Sequence, residues 1–109
     1  MRLPTSRPPT HPGEILLEEF LVPLHMTQQE LAGRIGVSYP RVNELVNAKR
    51  GVTPDTALRL ARLFGTTAEF WLNGQLAWDL WHAQQSANAQ GIAQIVPLAG
   101  ASSNSVELQ

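Results

Sequence analysis

At 109 residues the chain is long enough for one domain with a modest core. It has no cysteine, which excludes a disulfide framework and any thiolate metal site, and its apolar runs are only a few residues long, which excludes a membrane span. The formal charge of −1 is unevenly spread: residues 27–62 set Arg34, Arg41, Lys49, Arg50, Arg59 and Arg62 against Glu30, Glu44 and Asp55, a net of +3, whereas residues 1–26 sum to −1 and residues 63–109 to −3.

Residues 1–12, with Pro4, Pro8, Pro9 and Pro12 among Thr, Ser and Arg, read as an extended arm. Arg2 and Arg7 are followed by no apolar stretch, so no secretory signal and a cytoplasmic location are expected. Pro12 suits the first turn of a helix, where a missing N–H does no harm. That helix is predicted to run to about Val22. Leu17, Leu21 and Leu24 repeat at i, i+4, i+7, with Leu16 and Phe20 beside them, and Pro23 ends it. Glu14, Glu18 and Glu19 line its outer side.

A second helix opens on the capping-box spacing Thr27–Glu30, and a third follows Ser38, with Pro40 inside its first turn. Leu31, Ala32 and Ile35 give one apolar stripe; Val42, Leu45 and Val46 give another. Gly36 stands between them where a sharp turn needs positive φ, Ala32 is small where a second helix crosses, and Val37 can plug the turn. The fourth helix has Thr53 as cap and Pro54 at its first position, then Ala57, Leu60, Ala61 and Phe64 on one face, and ends at Gly65. The fifth opens on the spacing Thr66–Glu69 and continues to about Ala87. Beyond Gln84 the chain is rich in Gln, Ala, Ser and Asn; only Ile95-Val96-Pro97-Leu98 has the character of a short strand or docking segment.

Two short helices joined by a tight turn over residues 28–47 form the unit that lays its second helix in a DNA major groove. The positive charge of residues 27–62 coincides with it, and phosphate binding depends on local charge. Thr27 and Gln28, at a helix N-terminus, are the expected phosphate contacts on one side, with Gln28 also able to brace the recognition helix. Asn47, Lys49 and Arg50 are expected on the other side. Bases would be read from residues 38–47. Ser38 opens that stretch; Arg41 matches the two acceptors of guanine, Asn43 suits adenine or phosphate, and Tyr39 offers a ring to a thymine methyl. Glu44 either accepts from cytosine or pairs with Arg41 or Lys49.

The fifth helix is apolar nearly all round, so a second copy is expected to cover part of it, with Phe70, Trp71, Trp78 and Trp81 as interface residues. A homodimer would read a palindromic operator in half-sites about 34 Å apart or a multiple of that. No catalytic pattern, metal site or cofactor is expected: His11, His25 and His82 share no ligand spacing and read as surface residues, and there is no Gly-rich phosphate loop.

The stretch Arg7-Pro8-Pro9-Thr10-His11-Pro12-Gly13-Glu14-Ile15-Leu16, with Glu18-Glu19-Phe20-Leu21 and Pro23-Leu24, resembles the start of HigA-type (VapI-type) antitoxins, which are Cro/C1 (Xre) helix-turn-helix regulators. Thr53-Pro54-Asp55-Thr56-Ala57-Leu58-Arg59-Leu60, Phe64-Gly65-Thr66, Phe70-Trp71-Leu72-Asn73, Gln75 and Asp79-Leu80 continue the likeness, which covers about residues 7–82. The chain departs from the pattern at His25, where Gly is usual, at Gly74, where Leu is usual, and at Trp78, which replaces a Tyr. The resemblance implies an all-α, five-helix Cro/C1-type (lambda-repressor-like) bundle with a long C-terminal dimerisation helix. The expected division is an arm over 1–12, a DNA-binding domain over 13–70, a dimerisation helix over 66–87 and a flexible tail over 88–109. It further implies a non-enzymatic antitoxin that represses its own operon and neutralises a small basic toxin of the RelE-like mRNA-endonuclease class. Glu14, Glu18, Glu19 or the tail could meet such a partner. A stand-alone repressor without a toxin is the alternative.

Overall fold

The computed structural model describes residues 8–99; the first seven residues of the arm and the tail from residue 100 lie outside it. The described chain is helical, without strands. Helix α1 covers residues 12–24, α2 Gln28–Ile35, α3 Tyr39–Val46, α4 Pro54–Phe64, α5 Ala68–Gln84 and α6 Ala89–Ala93. Ile95-Val96-Pro97-Leu98 forms no strand, and α6 adds a short helix in the stretch expected to be a flexible tail.

α1 departs from the expected periodicity. It opens as an α-helical turn (Pro12–Ile15), widens into a π-helix over Leu16–Leu21 and closes as another α-helical turn (Val22–Leu24). The Val22 N–H donates to the Leu17 carbonyl, five residues back. Residues five apart sit about 140° apart on a regular helix of 3.6 residues per turn. The wider turn instead lets Leu16 and Leu21 enter the core together. Leu24, expected on that stripe, is exposed. Pro23 does not end the helix; it continues to Leu24 and stops at His25, which adopts the left-handed conformation (φ 54°, ψ 36°).

The turn between α2 and α3 follows its residues. Gly36 is left-handed (φ 75°), and the amides of Gly36 and Val37 both donate to the Ala32 carbonyl at 2.9 and 3.0 Å, closing α2. Thr27 accepts from the Glu30 amide at 3.0 Å and Ser38 from the Arg41 amide at 3.2 Å. The Glu30 carboxylate completes no box; it pairs with Arg34. Leu31, Ala32 and Ile35 of α2 and Val42 and Leu45 of α3 are buried with Leu16, Leu21, Val52, Ala57, Leu60 and Trp71 in one core.

The cap of α5 is shifted by one residue from expectation. Thr67 accepts from the Phe70 amide at 3.0 Å, while Thr66 accepts the Trp71 indole N–H at 2.7 Å. Trp71, expected at an interface, is 1% exposed and packs against Phe20 and Phe70 within the chain. A buried side chain has no surface to offer a second copy. Trp78 also turns inward, edge-on to His11 at 4.9 Å and over His82 at 4.2 Å. Gly74 faces the Pro12 ring with ordinary space for a methyl group (3.6 Å), so no close helix crossing demands it.

Candidate nucleic-acid interface

α3 presents Tyr39, Asn43 and Asn47 at i, i+4 and i+8, a narrow polar stripe along its outer side. Tyr39 is 46% exposed. Asn43 is held from both directions: its Nδ2 donates to Gln28 Oε1 at 3.0 Å and reaches the Tyr39 hydroxyl at 3.5 Å. Gln28 stands in the first turn of α2, so the first helix braces the side chain at the centre of the second. Asn47 donates to the Asn43 carbonyl at 2.8 Å, tying down the end of α3. Polar groups fixed in this way lose little freedom when a ligand arrives.

Two charged residues are not arranged as the sequence predicts. Arg41 does not project from α3. Its Nη2 donates to Asp55 Oδ2 at 2.9 Å and to Thr56 Oγ1 at 2.7 Å, so the guanidinium lies on the first turn of α4 rather than at a base edge. Glu44 pairs with neither Arg41 nor Lys49; Arg50 closes onto it with two bonds of 3.1 and 2.8 Å. Lys49 is exposed and makes no ion pair among the described residues.

The segment after α3 is pinned at both ends. Ala48 takes positive φ (60°) and the Lys49 amide donates to the Glu44 carbonyl at 2.8 Å. The Val52 amide donates to Gln75 Oε1 of α5 at 2.8 Å. Gln75 thus sets where Lys49 and Arg50 stand relative to the stripe, a role that its position 23 residues downstream conceals.

At this same C-terminal end of α3, Gly13 of α1 packs so tightly on the Leu45 carbonyl that a β-carbon could not be placed there. The preceding His11 is buried at 4% exposure, not on the surface as expected, and its Nδ1 accepts the Gly13 amide at 2.8 Å. Burial holds this imidazole below its ordinary value, against the opposing fields of Asp79 and Glu14 and with a small contribution from His82. Asp55 is also displaced downward, by the hydrogen bonds of Arg59 and then Arg41.

Among the described residues no group of three His, Cys, Asp or Glu side chains is placed to hold a metal ion, and no helix is long and apolar enough to cross a membrane. A tight left-handed turn between two capped helices, with a braced polar stripe on the second, defines a helix-turn-helix protein. The helix-turn-helix family matches residues 17–71. The chain is 48% identical over 101 residues to virulence-associated protein I of Dichelobacter nodosus, covering 90% of this chain and 92% of that one. It is 46% identical over 78 residues to antitoxin HigA-1 of Vibrio cholerae, covering 71% and 72%. The structure of Pseudomonas aeruginosa antitoxin HigA with the higBA promoter superposes with a TM-score of 0.77 at 44% identity, covering 83% of this chain and 98% of that one. The chain belongs to the HigA-type antitoxins of the helix-turn-helix family, a family of DNA-binding regulators rather than of enzymes.

Proposed function

We propose that this chain is an antitoxin that represses its own operon as a homodimer and neutralises a small basic toxin of the RelE-like class. The observation that carries the DNA half is the stripe Tyr39–Asn43–Asn47 on α3, braced by Gln28, on a fold shared with a relative whose structure contains its promoter. Tyr39 and Asn43 contact base edges. Thr27, Gln28 and Ser38 on one side and Asn47, Lys49 and Arg50 on the other contact backbone phosphate, and Glu44 acts through Arg50.

The dimer reading draws on α5, where Phe70, Leu76 and Leu80 are 44%, 55% and 44% exposed, with Trp81 half-buried nearby. Apolar side chains at this exposure along one helix are the composition of a subunit contact. A two-fold pair matches a palindromic operator with half-sites about 34 Å apart. The exposed Glu14, Glu18 and Glu19 on α1 complement a basic partner.

Fluorescence anisotropy with the duplex upstream of its own gene tests the DNA reading. Salt-dependent binding, tighter than to a scrambled duplex and at two chains per duplex, is expected; equal affinity for both duplexes contradicts it. For the toxin half, the adjacent reading frame is expressed alone and with this chain. Growth arrest relieved by co-expression supports the antitoxin, and a harmless neighbour leaves the stand-alone repressor.

A further inference from the structure

Arg41 stands on the first turn of α3, two residues beyond Tyr39, where a guanidinium pointing outward would find phosphate. Instead one of its nitrogens is held by two acceptors on α4, Asp55 Oδ2 at 2.9 Å and Thr56 Oγ1 at 2.7 Å. Thr56 is 4% exposed, and its hydroxyl is also bonded by Thr53 Oγ1 at 3.3 Å, so this acceptor is fixed. The same Asp55 oxygen accepts from Arg59 Nε at 2.9 Å, and Arg59 Nη1 donates to the Ile35 carbonyl at 2.7 Å in the last turn of α2. One carboxylate oxygen therefore links the start of α3 to α4, and through Arg59 to the end of α2.

The side chains of Arg41 and Asp55 remain 29% and 56% exposed, so the pair sits at the solvent edge and not in the core. An isolated ion pair at such an edge is weak, but here the buried Thr56 hydroxyl and the shared Asp55 oxygen make it part of a network that holds the guanidinium in place. Phosphate contacts raise affinity for every sequence alike, while base-edge contacts discriminate. A carboxylate that occupies a cation on the recognition helix, and itself repels phosphate, keeps affinity lower for every duplex alike and its salt dependence shallower.

We infer that Asp55 is a positioning residue of the DNA interface: it holds Arg41 on α4 and so withholds one cation from sequence-independent contact with phosphate, which limits affinity and its salt dependence on every duplex alike. The inference rests on the DNA-binding reading. In the operator complex Arg41 stays on Asp55 and Thr56, and the bases are read by Tyr39 and Asn43.

The test is anisotropy of the full chain on its promoter duplex and on a scrambled duplex between 50 and 200 mM salt. Asp55→Asn is expected to steepen the dependence of log K on log salt by about 0.9 on both duplexes, one added phosphate contact. The ratio of variant to parent affinity then falls about 3.5-fold across that salt range on each duplex, with the preference for the promoter unchanged. The double variant Asp55→Asn/Arg41→Gln is expected to return to the parent slope. Arg41→Gln alone, which leaves Asp55 in place, is expected to keep the parent slope and serves if Asp55→Asn does not fold. A folded Asp55→Asn with the parent slope overturns the inference, as does a double variant that stays steep or an Arg41→Gln that loses a slope of about 0.9. If the parent chain itself binds neither duplex, the DNA reading falls and this inference with it; a parent that binds, with flat variants, overturns this inference alone.

Discussion

Gly13 and the Leu45 carbonyl meet with no space for a β-carbon between them, so the start of α1 rests directly on the backbone of the recognition helix. Glycine in a helix costs about 1 kcal/mol relative to alanine, and on propensity alone Gly13→Ala would stabilise. The contact reverses the sign. Since the obstacle is backbone, not a flexible side-chain tip, Gly13→Ala is expected to destabilise by about 1–3 kcal/mol, the range for overpacking. Urea unfolding measures it; a rise in midpoint would show that α1 does not seat on α3 in this way.

The neighbouring cap makes stability depend on pH. His11 Nδ1 accepts the Gly13 amide only while unprotonated, and burial lowers its folded-state value below the ordinary 6.5. Between those two values the unfolded chain binds more protons than the folded one, so stability rises with pH through that window. The contribution is complete above about pH 6.5 and is lost as pH falls through the folded value. Urea midpoints should therefore drop between pH 7.5 and pH 5.5. His11→Asn keeps a capping oxygen without titrating there and should flatten the slope. An equal slope in the variant assigns the pH dependence to other groups.

Most of the helix-turn-helix was legible because its signals are local. Gly36 closes α2, Thr27 and Ser38 cap their helices, and the apolar stripes of α2 and α3 enter the core; each acts within a few residues. What could not be read depends on partners distant in sequence or on a change of period. The π-turn that places Leu16 beside Leu21 breaks the 3.6-residue rule on which the Leu17–Leu21–Leu24 stripe was predicted. Arg41 reads as a base contact until Asp55, fourteen residues on, is folded against it. Trp71 reads as interface because an aromatic helix face does not announce which side its own chain covers. His11 had a signal: a glycine after Pro12 in the first turn of a helix marks a close approach, and the residue ahead of it caps that turn.

His25 occupies a left-handed helix cap at φ 54°. For an L-residue with a β-carbon this costs about 1–2 kcal/mol, partly offset by the extra freedom glycine has when unfolded. His25→Gly is expected to stabilise by about 1 kcal/mol, a rise in Tm of about 4–8 °C for a domain of this size. Calorimetry decides. No gain would mean that the imidazole makes compensating contacts at the cap.

The most direct test of the account is occupancy of the promoter by a chain whose α3 stripe has been erased. Tyr39→Ala/Asn43→Ala removes the exposed Tyr39 and half-buried Asn43 side chains assigned to base edges and spares the core residues Val42 and Leu45. In a footprint at fixed salt, with folding verified by circular dichroism, protection of the operator should be lost while weak, salt-sensitive binding to any duplex persists. Unchanged protection by the folded variant would contradict the claim that α3 reads the operator.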